Sequence, residues 1–180
     1  MIFQKTPIDG AYIIDLEEKQ DERGFFARAF CVNEFSDHGL ENNFVQANLS
    51  MNYKKGTIRG LHYQLPPKQE AKLYRCIKGK IFNVFVDMRA NSPTYLKWFG
   101  IELSSVNRKM LLVPKGCATG YQALEDDTEV LYWSSTVYAP ELERGVRYSD
   151  PVINIFWPIS KDIIVSDKDK NLPDVKRKIK

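Results

Sequence analysis

The stretch Thr57-Ile58-Arg59-Gly60-Leu61-His62-Tyr63-Gln64 alternates apolar and polar residues in the manner of a β-strand. Ile58, Leu61 and Tyr63 are the candidates to pack, and Arg59, His62 and Gln64 the candidates to face a cavity. The alternation breaks at Gly60, and an isolated glycine within a strand marks a bulge or a close approach of backbones. The chain has two histidines, and only His62 lies in this pattern. An imidazole on a strand beside a guanidinium and an amide suits a base placed next to an anion site. It equally suits a half-buried structural histidine on a barrel wall.

The flanking segments read as further strands. Residues 44–53 set Gln46, Asn48, Ser50 and Asn52 against Val45, Ala47, Leu49 and Met51. That polar face is rich in amides and carries no charge, which fits the lining of a ligand cavity as well as a solvated surface. Lys54-Lys55-Gly56 turns the chain into the central strand. Beyond Pro66-Pro67, residues 71–77 and 81–88 with Lys78-Gly79 between them read as a β-hairpin. Lys72 points either to the interior of His62 or outward from an edge.

Residues 98–103 and 109–113 are strands joined by Ser104-Ser105-Val106-Asn107. Pro114-Lys115-Gly116 breaks the chain before residues 117–121. The strand at 129–135 puts Tyr132 and Trp133 on opposite faces, and residues 152–157 close the β region. Toward the N-terminus, residues 11–16 form a strand, and Asp21-Glu22-Arg23-Gly24 supplies turn chemistry. The β-prone residues 25–30 then place Arg23, Phe26 and Arg28 near one another. Asn33 is a candidate N-cap for a short helix over 34–38, which Gly39 ends and which leaves His38 exposed. Short strands at close spacing with turns between them predict an all-β barrel or sandwich. The lack of βαβ alternation and of Gly-x-Gly-x-x-Gly argues against a Rossmann nucleotide site. Residues 166–180 are basic and read as a small helix or solvated tail.

A chain of 180 residues, 43% of them apolar, fits one packed domain. Its net charge of +3 is too mild to imply nucleic acid and fits a small anionic ligand better. Cys31, Cys76 and Cys117 are odd in number and lack metal-ligand spacing, so a reduced, cytoplasmic setting is expected, with the thiols in the core. No secretory pattern opens the sequence, and no apolar run is long enough to span a membrane. Two histidines, one of them surface-like, argue against a histidine-rich metal centre, and no Gly-x-Ser-x-Gly signals a serine nucleophile. Acid–base chemistry without a metal remains, with His62 as base and a tyrosine as acid.

Several collinear motifs then carry a resemblance. They are Asp21-Glu22-Arg23-Gly24-Phe25-Phe26, Val45-Gln46-Ala47-Asn48-Leu49-Ser50, Arg59-Gly60-Leu61-His62-Tyr63-Gln64, Ala71-Lys72-Leu73, Val86-Asp87-Met88-Arg89 with Ser92-Pro93-Thr94, Val113-Pro114-Lys115-Gly116, Trp157-Pro158 and Ser166-Asp167-Lys168-Asp169. From about residue 21 to residue 173 the chain resembles the dTDP-4-dehydrorhamnose 3,5-epimerase family. The resemblance implies a single cupin-type β-jelly-roll domain over residues 1–180 with short peripheral helices, and a homodimer that exchanges N-terminal strands. It implies a nucleotide-diphospho-4-keto-6-deoxy sugar as substrate, with no cofactor, metal, nucleic acid or membrane. It casts His62 as the base, Asp169 as its orienting partner, Lys72 at the C4 carbonyl and Tyr132 as the acid on the opposite ring face. Tyr138 would place the sugar, Arg23 and Arg59 would hold the diphosphate, and Phe26, Gln46, Asn48, Glu143 and Lys168 would complete the binding set.

Two positions depart from the family pattern. Thr119 stands where a histidine is common, and Arg28 where a glutamate is common. The recognition set therefore differs, and inversion at C3, at C5 or at both remains open. A 3,4-ketoisomerase and a non-catalytic sugar-nucleotide-binding barrel are the alternatives.

Overall fold

In the computed structural model, which describes residues 1–175, most connections carry the chain from one sheet to a facing one. Residues 176–180, the end of the expected basic tail, lie outside the described residues. In chain order the elements are β1 (Ile2–Lys5), β2 (Tyr12–Asp15), β3 (Lys19–Asp21), β4 (Gly24–Phe26), α1 (Val32–Asp37), β5 (Gln46–Asn52), β6 (Thr57–Gln64) and β7 (Lys72–Lys78). There follow β8 (Lys80–Asp87), β9 (Trp98–Ser104), β10 (Met110–Val113), β11 (Cys117–Ala123), β12 (Thr128–Ser134), β13 (Glu143–Gly145), β14 (Ile164–Val165) and α2 (Asp167–Lys170). One sheet runs β1-β2-β10-β7-β12-β5; the other runs β13-β6-β11-β8-β9, with β14 parallel to β6. The two face each other as a cupin-type jelly roll, the fold the sequence predicts.

The core explains why several strands are apolar on both sides. Ile81, Phe85, Leu103, Leu111, Tyr121 and Val130 pack between the sheets. On the outer side of the second sheet, Ile58, Leu61, Val84 and Val86 are covered by Ile153, Trp157 and Val165. On the outer side of the first, Leu73, Met110 and Leu112 meet Phe35 of α1. Strands such as β8 and β11, roofed on both faces, therefore lose the clean alternation of a half-exposed strand.

Four expectations are corrected. Residues 71–77 and 81–88 are not a hairpin, because β7 pairs with β10 and β12 while β8 pairs with β11 and β9. The turn at Gly79, at φ +72°, is a corner between sheets. Residues 152–157 form no strand: Asp150 Oδ1 accepts the N–H groups of Val152 (2.7 Å) and Ile153 (2.8 Å), and Asn154 sits at φ +51°. This turn chemistry outweighs the apolar pattern, and Ile153 and Trp157 serve as a roof. The β-prone stretch 25–30 pairs only as far as Phe26. Helix α1 begins after Cys31, which makes no side-chain cap, and not at Asn33; burial of Phe35 against Phe3, Phe30 and Phe44 sets its register.

His38 is exposed as expected and stacks on Phe3. Among the described residues, no helix is long and apolar enough to cross a membrane.

Candidate active site

Arg59 and His62 are three residues apart, which in a regular strand would put them on opposite faces. Here Tyr121 pairs with Arg59 and Thr119 with His62, so two steps along β11 span three along β6. This bulge turns both side chains into the barrel. It depends on Gly60, which has φ +114°; a Cβ there would lie 2.7 Å from Gly120 Cα and 2.8 Å from Thr119 O. The glycine that interrupts the sequence pattern is what allows the site.

Both side chains open onto a cavity of about 300 Å³, lined also by Lys72, Tyr74, Thr119, Tyr121, Tyr132 and Asp169. An adjoining recess of about 80 Å³ shares His62, Lys72 and Tyr132 and adds Gln46, Asn48, Glu70, Tyr138 and Glu143. His62 comes from β6 in one sheet and Tyr132 from β12 in the other. An imidazole and a phenol therefore face each other across the cavity.

Asp169, 107 residues from His62 in sequence, reaches it because α2 packs on β6. The Ser166 hydroxyl caps α2 by accepting the Asp169 N–H. Asp169 Oδ1 lies 2.7 Å from His62 Nε2, and Oδ2 accepts the Gly60 N–H at 3.0 Å. Burial pushes the Asp169 carboxyl up, but the His62 bond, the Gly60 N–H and the Lys168 charge outweigh it and hold its pKa below the usual carboxylate range. With Nε2 occupied, Nδ1 is the nitrogen left for a ligand.

On the facing wall, Tyr132 stacks on Tyr74. Burial, with Tyr121 and the Glu70 carboxylate nearby, raises the Tyr132 pKa, so it stays a proton donor at neutral pH. Lys72 is half-buried, paired with Glu70 at 2.9 Å, and its Nζ lies 6.0 Å from the Tyr132 ring centroid. It is an interior cation and not an edge lysine. The amide face of β5 points inward: Gln46 donates to Asn48 at 3.0 Å and accepts the Tyr138 N–H at 2.9 Å. Asn52 Oδ1 holds Arg59 Nε at 2.8 Å, and Ser50 bonds the Tyr121 hydroxyl at 2.6 Å. Lys168 pairs with Glu143, which also accepts the Tyr138 hydroxyl at 3.1 Å. Burial raises the Glu143 pKa, but these bonds and the nearby His62 bring it below the usual value. Gln64 borders the recess, yet its amide is committed to Lys68 O and the Ala139 N–H. Thr119 is buried and donates to Val84 O at 2.9 Å.

Three expected site residues do not join this cluster. Arg23 sits on the β3–β4 turn with its side chain 85% exposed and paired to Asp21. Phe26 is 72% exposed, and Arg28 pairs with Glu34 beside a separate recess. Conversely, sequence reasoning singled out neither Tyr74, Tyr121 nor Glu70 for the site. Tyr74 had a signal: it lies one strand period after Lys72.

The sequence matches the family model "dTDP-4-dehydrorhamnose 3,5-epimerase" over residues 5–177. The chain belongs to this family. It is 46% identical over 171 residues to dTDP-4-dehydrorhamnose 3,5-epimerase of Methanothermobacter thermautotrophicus, covering 94% of this chain and 91% of that one. Its fold superposes on the crystal structure of dTDP-4-dehydrorhamnose 3,5-epimerase from Elizabethkingia anophelis with a TM-score of 0.95 at 38% identity, over 99% of this chain and 98% of that one. For the Bacillus anthracis enzyme, solved with TDP and pyrophosphate bound, the TM-score is 0.93 at 37% identity, over 97% of this chain and 99% of that one.

Proposed function

We propose that this chain epimerises a nucleotide-diphospho-4-keto-6-deoxy sugar of the dTDP-4-dehydro-6-deoxyglucose type. The observation that carries the reading is the placement of His62–Asp169 and Tyr132 on facing walls of one cavity. Inversion requires a base on one face of the ring and a proton donor on the other. Carbons 3 and 5 flank the C4 ketone, so loss of either proton gives an enolate.

His62 takes the proton, through Nδ1, as Asp169 holds Nε2 and stabilises the imidazolium. Lys72 meets the developing charge on the C4 oxygen. Tyr132 delivers a proton to the opposite face, and exchange with solvent resets both groups. Arg59 takes the diphosphate, for which a guanidinium offers forked, charge-assisted bonds; the Bacillus anthracis relative's bound TDP and pyrophosphate agree with such a ligand. Gln46, Asn48, Tyr138, Glu143, Lys168 and Thr119 surround the sugar.

The exposed Arg23 and Phe26 belong, in this reading, to the site of a second copy in a cytoplasmic homodimer. An apolar outer face along edge strand β5, with Leu49 exposed on it and Val45 exposed just before it, supports that assembly, and Arg28 lies at its nucleotide end. The test is His62→Ala in deuterium oxide with dTDP-4-keto-6-deoxyglucose. Solvent deuterium enters the sugar with the wild type and stays at background with the variant; unchanged incorporation would sink the proposal.

A further inference from the structure

Tyr74 on β7 is the direct cross-strand partner of Tyr132 on β12. Both rings point between the sheets, with centroids 5.1 Å apart and planes at 26°. Tyr74 is 4% exposed and belongs to the inter-sheet core with Cys76, Leu111 and Val130. Thr119 is the polar neighbour of its hydroxyl, and Thr119 is in turn fixed to Val84 O.

Tyr132 is anchored differently. Among the described residues no protein group hydrogen-bonds its hydroxyl, which leaves that hydroxyl for the substrate. The direction of its O–H is therefore set by what touches its ring. The face of Tyr74 is the rigid, core-held surface in that position, since Lys72 is 6.0 Å from the ring centroid on a flexible stem.

We propose that Tyr74 is a positioning residue whose stacked ring holds Tyr132 at the angle from which its proton reaches the sugar face opposite His62. It thereby decides whether deprotonation ends in inversion or in return of a proton to the original face. The inference rests on the epimerase reading above. A small misplacement of a proton donor is enough to divert such an outcome, because the enolate is protonated by whichever donor is aligned.

The experiment compares two rates in deuterium oxide: deuterium entry into substrate of unchanged configuration, and formation of inverted product. Tyr74→Leu keeps apolar burial but removes the aromatic surface. It is expected to retain deuterium entry within about threefold while inversion falls about tenfold, the size of one strong aromatic pair. Tyr74→Phe keeps the ring and returns the ratio to the wild-type value. Tyr74→Met, a flexible filler, replaces the leucine variant if that does not fold and carries the same expectation.

An unchanged ratio in the leucine or methionine variant overturns the inference, as does an equal fall in both rates. If the wild type inverts normally, such a result leaves the epimerase reading intact. A wild type that exchanges no proton overturns both.

Discussion

Asp169→Asn keeps the shape of the side chain and removes its charge, so it isolates what the carboxylate does. Asp169 uses one oxygen for His62 Nε2 at 2.7 Å and the other for the Gly60 N–H at 3.0 Å. An asparagine can serve both only with its oxygen toward the Gly60 donor and its NH₂ toward Nε2. The imidazole must then accept at Nε2 and carry its proton on Nδ1, the nitrogen that takes the substrate proton in the proposed reaction. The base is blocked in its resting tautomer and loses a charge-assisted bond in its protonated form. Such a bond contributes about 1.5–3 kcal/mol, equivalent to a factor of about 10–150, and the tautomer cost adds to it. We expect C–H exchange to fall at least a hundredfold, with the thermal midpoint within about 4 °C of wild type because the swap is isosteric. Proton NMR of the sugar in deuterium oxide reads the rate, and scanning fluorimetry the fold. Exchange within threefold of wild type would refute the role given to Asp169.

Other consequences are as direct. Lys72→Met should slow exchange by about a hundredfold through loss of oxyanion stabilisation, and it strands Glu70 in a half-buried setting; adding Glu70→Gln should recover stability but not rate, as urea midpoints and NMR will show. Gly60→Ala forces a side chain into φ +114° with backbone at 2.7 Å, and should cost about 2–4 kcal/mol in urea unfolding together with the activity. Burial pushes the Asp87 carboxyl up, but bonds from Arg89, Ser92 and Thr94 dominate and bring its pKa from 3.8 down to about 2. A depressed carboxyl stabilises the fold above its unfolded pKa and loses that contribution as pH falls through its folded one. About 2 kcal/mol should therefore disappear between about pH 4 and about pH 2, with a shallower acid slope in Asp87→Asn.

The sequence made the barrel legible because short alternating runs and turn residues are local signals. The bulge was legible too, since Gly60 broke an otherwise regular pattern. What it hid was long-range. The Lys78-Gly79 turn looks the same whether it closes a hairpin or turns a corner between sheets, and only the partners of β7 and β8 distinguish the two. The alternation of residues 44–53 gave two faces without saying which was inside; the amide face turned in, and Val45 and Leu49 turned out. The pairing of Asp169 with His62 rests on α2 packing against β6, which no local spacing encodes. Arg23, Phe26 and Arg28 lie on or beside the β3–β4 hairpin, which does not line the cavity.

The most direct test of the account follows wild-type protein and dTDP-4-keto-6-deoxyglucose in deuterium oxide by proton NMR, resolving each carbon. Loss of the C3 proton signal, the C5 proton signal or both is expected, with inverted product and the carbonyl still at C4. No exchange at either carbon, or a carbonyl that has moved to C3, would contradict it.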